Sequence, residues 1–318
     1  MNIIVTVVLT TYNRASLLPE AIKSVLNQTF SDCELIVVDD CSSDNTSDVV
    51  NSFQDFRIRY IRHDENKGLA ASRNTGLKYA KGKYIAYLDD DDEWVPEKLA
   101  LQLEVMKKSE HHPCLVYAGS QSGWMEDYIF QGFTMSPSCM LVATQELNRI
   151  GGHSEELTSC IDHDIWIKMA QAGFYMKPVP KDCALMPNRT VPPNLRMTNR
   201  LDERFKGIEE FFDKWKSYVI KNYGTSYWQK IEAVYQWQTF NTIKQNYLKQ
   251  IINKQQLLHY CQQLIKWQYE RITKDKIYLY FNYLGLLFNL IEYTPLQFYK
   301  RRIFQDLVTF NLKFQPNK

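Results

Sequence analysis

Apolar positions follow two rhythms along the first half of the chain. Residues 3–10 form a nearly unbroken run rich in β-branched side chains, the pattern of a strand covered on both faces. Leu17, Leu18, Ala21, Ile22, Val25 and Leu26 then recur at helical spacing. Residues 34–38 predict a second strand, ending in Asp39 and Asp40. Ser43 or Asn45 would cap a short helix running through Val49, Val50 and Phe53. Residues 58–61 predict a third strand, 69–80 a helix stopped at Gly82, and 83–88 a fourth strand. Pro96 suits the first turn of the next helix, whose apolar stripe is Leu99, Leu103 and Met106. This alternation predicts an α/β fold: a mostly parallel, twisted sheet with helices on both faces.

After Leu115 the pattern loosens. Residues 139–143 read as a strand, 145–150 as a short helix and 165–172 as another helix. The proline-rich stretch 178–193 predicts an irregular crossing. From about Asp202 onward the chain reads as helical. Phe205, Ile208, Phe211, Phe212 and Trp215 share one face, and similar spacing recurs through Val234, Trp237, Ile243 and residues 257–267. The expected organisation is an α/β domain over residues 1–194 and a helical, aromatic-rich region over 195–318. The most apolar stretch is 277–293, in which Asn282, Asn289 and Glu292 fall on one stripe with Gly285. It is shorter than the ~20 residues of a spanning helix. It reads as a buried core helix, with an interfacial helix as the alternative.

Composition and charge narrow the function classes. The seven cysteines are scattered and form no Cys-x-x-Cys pair, which argues against a disulfide framework and a zinc site. No basic stretch precedes the apolar run at 3–9, and no small-residue cleavage site follows it. It reads as a first strand rather than a signal peptide, and a reducing, cytoplasmic compartment is expected. The net charge of +2 conceals a split. Residues 1–194 carry 18 Lys and Arg against 26 Asp and Glu, whereas residues 195–318 carry 20 against 10. The acidic part suits a metal site. The basic part suits a membrane surface, an anionic partner or docking against the first half. No recognisable nucleic-acid motif accompanies the charge, so nucleic acid is not an expected partner.

The candidate chemistry concentrates at residues 84–92, where an apolar strand runs into Asp89, Asp90, Asp91 and Asp92. Four adjacent carboxylates repel one another, and a hard divalent cation is the simplest compensation. A solvated acidic loop is the bland reading. Position favours the ligand, because open α/β sheets bind outside the carboxyl ends of their strands.

Five patterns line up in order: residues 8–14 (VLTTYNR), 37–44 (VVDDCSSD), 66–74 (NKGLAASRN), the acidic run with Trp94 and Pro96, and Gly151-Gly152 followed by 162–166 (DHDIW). Together they closely resemble the family 2 glycosyltransferases, which have the GT-A fold, over about residues 1–190. By that resemblance Thr11 and Tyr12 line the base pocket of a nucleotide-sugar donor, with the Tyr12 ring against the base. Asp40 accepts the imide N–H of a uracil, or else is a turn acid beside Ser42. Gly68 lets backbone approach the donor, or makes a turn. Arg73 faces the nucleotide and its diphosphate, with a surface ion pair as the alternative. Asp89 and Asp90 lie near the ribose and the metal, and Asp91 ligates Mg²⁺ or Mn²⁺. Asp92 reaches a sugar or caps the next helix. Asp162 is the general base that deprotonates the acceptor hydroxyl, giving one in-line displacement with inversion. Ile161 stands where the family usually has an acid. Asp164 is the fallback base, and both acids could instead cap the helix at 165. Trp166 reads as a core anchor, with contact to the sugar as the alternative, and His163 as structural, with contact to acceptor or metal as the alternative.

The resemblance thus implies a metal-dependent inverting transfer from a nucleotide-sugar, UDP-sugar favoured, to a saccharide or lipid-linked acceptor in surface polysaccharide or glycan synthesis. It would act in the cytoplasm, with peripheral contact at the membrane face through the C-terminal region. One alternative is a sugar-nucleotide nucleotidyltransferase, disfavoured because the N-terminal segment has no Gly-rich phosphate loop with a signature basic residue. The other is a catalytically silent, transferase-like binding protein, disfavoured by the intact set of acids.

Overall fold

The computed structural model describes residues 3–129, 135–180 and 200–271. Its centre is β1 (Val5–Thr11), every residue of which is buried. This strand runs parallel to β2 (Cys33–Asp39) on one side and β4 (Tyr84–Asp89) on the other. Beyond β2 lies β3 (Ile58–Arg62), also parallel. Beyond β4 the sheet becomes mixed. β7 (Met140–Ala143) is antiparallel to both β4 and β5 (Cys114–Ala118). β8 (Tyr175–Val179) is parallel to β5, and β6 (Gly123–Trp124) closes the edge antiparallel to β8. The order is β3-β2-β1-β4-β7-β5-β8-β6.

The unbroken apolar runs follow from cover on both faces. Successive strand side chains point to opposite faces. Val5, Val7 and Leu9 cluster with Leu35 and Val37, with Leu18 and Ile22 of α1 (Leu18–Leu26), and with Leu99 and Leu103 of α4 (Lys98–Lys107). Val8, of the other parity, meets α3 (Leu69–Tyr79): a Cβ added at Gly76 would stand 2.2 Å from a Val8 methyl. Gly76 therefore sets how closely α3 approaches the sheet, and any larger residue there must push helix and strand apart. Each fully buried Val, Leu or Ile on these faces contributes about 1.5–3 kcal/mol.

The short α2 (Thr46–Asn51) follows Asn45 as expected, but the Asn45 side chain makes no capping bond. Asp44 does that work, accepting from the Thr46 N–H at 3.1 Å. In the second half, the strand at 140–143 and α6 (Thr144–Arg149) match the pattern, and α5 (Met125–Ile129) adds a short turn of helix. Two expectations change. Pro178 lies inside β8 rather than in an irregular crossing, and the helix expected from 165 is α7 (Ile161–Gln171), which starts a turn earlier. The remainder of the proline-rich stretch, from 181, and the apolar stretch 277–293 lie outside the described residues.

The C-terminal helices are α8 (Leu201–Tyr223), α9 (Thr225–Leu248) and α10 (Lys254–Arg271). The predicted stripe of α8 is buried at Ile208, Phe211, Phe212 and Trp215. Where α8 crosses the loop before α7, a Cβ at Gly207 would meet Ser159 at 2.2 Å. The chain divides into two compact units, Met1–Trp237 and Gln238–Lys318, so α8 and the first half of α9 belong to the unit that holds the sheet. Among the described residues, no helix is long and apolar enough to cross a membrane.

Candidate functional site

Parallel register gathers the candidate residues at one sheet edge. Thr11 stands opposite Asp39, and Thr10 opposite Asp89. The strand ends of β1, β2 and β4 therefore open on the same side, where ligands of such sheets bind. The Asp89 N–H donates to the Ser138 hydroxyl at 3.0 Å, and the Trp94 indole N–H to the Ser138 carbonyl at 2.8 Å. This fully buried serine pins the start and end of the acidic turn.

The four aspartates do not act alike. A turn closes from the Asp92 N–H to the Asp89 carbonyl at 3.0 Å. Asp90 points inward: its oxygens accept from the Thr11 hydroxyl at 2.8 Å and from Arg14 Nη1 at 2.7 Å. Burial pushes its carboxyl up to about 6, against the pull of Arg14. Asp89, Asp91 and Asp92 stay half-buried, each offering a carboxylate oxygen, and these oxygens lie within 4.8 Å of one another. Arg14 also reaches Asp91 at 3.6 Å. An all-oxygen donor set of this kind suits Mg²⁺ or Mn²⁺. Asp92 thus joins Asp91 in the cluster, while Asp90 ties Thr11 and Arg14 together beneath it.

On the β2 side, Tyr12 is half-buried in the loop after β1. Its neighbour Asn13, at φ 52°, crosslinks that loop to the next: Asn13 N–H donates to the Ser42 hydroxyl at 2.8 Å, and Asn13 Oδ1 accepts from the Ser43 N–H at 2.7 Å. Asp40 is buried and closes the β3–α3 loop. Its Oδ1 accepts from the Lys67 N–H and its Oδ2 from the Gly68 N–H, both at 2.8 Å. Gly68, the residue immediately before α3, takes φ 88°, a conformation that glycine adopts freely. His63 also contacts Asp40, through Nδ1 at 2.8 Å.

The third element is Arg73 on α3, whose side chain is 1% exposed. Its Nη1 bonds Asp162 at 2.6 Å and its Nη2 bonds Asp89 at 3.0 Å. Burial works against its charge, yet the two carboxylates more than offset that, holding the guanidinium above its ordinary value. Arg73 thereby joins the acidic turn to α7. Asp162 sits in the first turn of α7, where the helix N-terminus favours an acid. Enclosure pushes its carboxyl up, and Arg73 pulls it back. The side chain keeps 46% exposure, enough to meet a substrate while paired.

Asp164 faces the opposite way. It is fully buried, with Oδ1 accepting from the Trp215 indole at 2.9 Å and from Lys214 at 2.8 Å. It fastens α7 to α8, so the fallback base is an anchor. His163 pairs with the Tyr235 hydroxyl, and enclosure pushes its ring down to about 4, leaving it neutral and structural. Trp166 is a core side chain, 1% exposed. Sequence reasoning gave no role to Arg14, His63 or Ser138. The polar character of each was visible, but their partners lie 76, 23 and 49 residues away.

Comparison with known proteins gives three kinds of match. The profile described as "Glycosyl transferase family 2" matches residues 6–148. The UDP-Glc:alpha-D-GlcNAc-diphosphoundecaprenol beta-1,3-glucosyltransferase WfgD of Escherichia coli is 44% identical over 106 residues, 33% of this chain and 42% of the relative. WfaP of the same organism, with the same described activity, is 36% identical over 135 residues, 42% of this chain and 52% of the relative. The chain thus spans about half the length of the curated relatives it matches. Among solved structures, a mannosyltransferase from Pyrobaculum calidifontis, in complex with GDP-Man and Mn²⁺, superposes with TM-score 0.56 at 18% identity, covering 93% of this chain and 82% of that one. That likeness places the fold in the GT-A class.

Proposed function

From a chain whose residues 6–148 form a glycosyl transferase family 2 domain, we infer an inverting glycosyltransferase that moves a sugar from a UDP-sugar to a lipid-linked acceptor. The observation that carries this reading is Arg73, which couples the acidic turn at Asp89 to Asp162 across the sheet edge. On this reading one buried side chain would hold a leaving-group site and a proton-accepting site at a fixed separation.

Thr11 and Tyr12 would line the base pocket, and Asp40 would offer its remaining acceptor capacity to the uracil imide N–H. Gly68 and its loop would border the nucleotide. Asp91, with Asp89 and Asp92, would hold Mg²⁺ or Mn²⁺, whose bound charge would stabilise the departing diphosphate. Asp90 would keep Thr11 and Arg14 in place beneath that cluster. Asp162 would take the acceptor hydroxyl proton as that oxygen bonds the anomeric carbon and the bond to the diphosphate breaks. The α7 dipole and Arg73 would oppose the upward push that enclosure gives the Asp162 carboxyl.

The Escherichia coli relatives are named for UDP-glucose and a GlcNAc-diphosphoundecaprenol acceptor. We extend both to this chain as its substrates. An acceptor of that kind lies at a membrane surface, which the basic residues of 195–318 would approach peripherally. The test is a donor screen over UDP-, GDP- and TDP-sugars with Mg²⁺ or Mn²⁺ and a GlcNAc-diphospholipid. Release of UDP is expected. Release of pyrophosphate, or binding of UDP without turnover of any donor, would overturn the reading.

A further inference from the structure

Asp40 is held by a chain of side chains that runs through His63 to Thr75. His63, at the end of β3 and buried, bonds Asp40 Oδ1 through Nδ1 at 2.8 Å and Thr75 Oγ1 of α3 through Nε2 at 2.9 Å. A carboxylate only accepts hydrogen bonds, so Nδ1 carries the proton. Nε2 faces the Thr75 hydroxyl and bonds it in turn. The imidazole is fixed at both nitrogens.

A carboxylate has about four lone-pair sites. Oδ1 is filled by His63 and the Lys67 N–H, while Oδ2 takes only the Gly68 N–H. The Asp40 side chain is 6% exposed, so the carboxylate has little room to turn. His63 decides which oxygen retains an acceptor site.

We propose that His63 is a positioning residue for base selection: by occupying Asp40 Oδ1, it leaves Oδ2 as the single oxygen able to receive a ring N–H from the donor's base. This rests on the reading of Asp40 as the base acceptor. A uracil ring presents an N–H at the matching position and a cytosine ring does not, so His63 sharpens the preference for UDP over CDP. Thr75 holds the ring from behind.

Asparagine and glutamine separate this role from simple packing. The amide nitrogen of Asn approximates Nδ1, and that of Gln approximates Nε2. Binding of UDP and CDP to the full chain with Mn²⁺ would be measured by calorimetry for wild type, His63→Asn, His63→Gln, His63→Leu and Asp40→Asn. His63→Leu and His63→Gln should cut the UDP:CDP ratio by about tenfold, the size of one charge-assisted hydrogen bond, mostly through weaker UDP binding. His63→Asn should restore most of it. In turnover with UDP-glucose, the loss should fall on KM, with kcat within about twofold, as for an interaction made equally in ground and transition states.

Comparing the Asn and Gln variants keeps the test valid if the Leu variant folds poorly. A wild-type UDP:CDP ratio in His63→Gln and His63→Leu, with the ratio lost in Asp40→Asn, would overturn the role of His63 while leaving Asp40 as the base acceptor. No preference for UDP in the wild type would remove the base reading itself. Nitrogen-15 NMR adds an independent check: His63 should carry its proton on Nδ1, and a neutral ring protonated on Nε2 alone would contradict the proposal.

Discussion

Asp162 and Asp164 lie on the same helical turn and do opposite things. One keeps 46% of its side chain exposed beside Arg73, and the other is buried against Trp215 and Lys214. Substitution should separate them. Asp164→Ala leaves the Trp215 indole donor unpaired and takes one of two carboxylates from Lys214, which keeps Glu156, and should lower unfolding stability by about 1–3 kcal/mol, read from denaturant midpoints. Asp162→Asn keeps an acceptor for the buried Arg73 but removes one of its two charge partners, and should lower that midpoint by less while removing turnover. Lys98 offers a prediction in pH. It is fully buried, donating to Gln102 Oε1 at 2.9 Å with its ammonium 3.6 Å above the Trp94 ring. Burial pushes its pKa down to about 7. An unfolded lysine holds its proton to about 10.4. Between those values the unfolded chain binds more protons, so stability rises with pH across that window and is flat below it. Lys98→Met should abolish the rise, seen as urea midpoints that no longer climb between about pH 7 and pH 9.5.

At the scale of elements, legibility followed the physics of burial. Strands β1, β2 and β4 are sealed on both faces and announce themselves as apolar runs that stop at acids, which is why Thr11, Asp40 and Asp89 could be placed from sequence. β5, β6 and β8 are short, and β8 contains Pro178, a residue that ordinarily argues against a strand away from an edge or a bulge. The start of α7 was obscured because its N-cap is Cys160 at φ 60°, which carries none of the usual capping chemistry. The acidic run was visible, but its division was not. Asp90 turns inward only because Arg14, 76 residues away, and Thr11, 79 residues away, wait there. Helix α8 braces α7 through Trp215. Trp215→Phe keeps an aromatic side chain but deletes the indole bond to Asp164 and part of a buried ring, and should cost about 1–3 kcal/mol in the same denaturation measurement.

At the scale of the molecule, the charge split gains a physical sense. The carboxylates of residues 1–194 concentrate partly in a cluster suited to a cation, while the excess of Lys and Arg over 195–318 suits an anionic surface. The full chain should co-sediment with anionic vesicles at low salt and be released near 0.5 M salt, where the screening length falls to roughly 4 Å; equal recovery in the supernatant at low salt would refute the membrane contact. Two acids distant in sequence, Asp89 and Asp162, are coupled through Arg73. The most direct test of the proposed reaction is the initial rate of UDP release, with Mn²⁺ and a GlcNAc-diphospholipid, from the UDP-sugar that the wild type turns over. Wild type, Asp91→Asn and Asp162→Asn would be compared, each confirmed to be folded. Both variants should fall by at least about 100-fold, the scale of general base catalysis. Release of UDP by Asp162→Asn at the wild-type rate would contradict the assignment of the base.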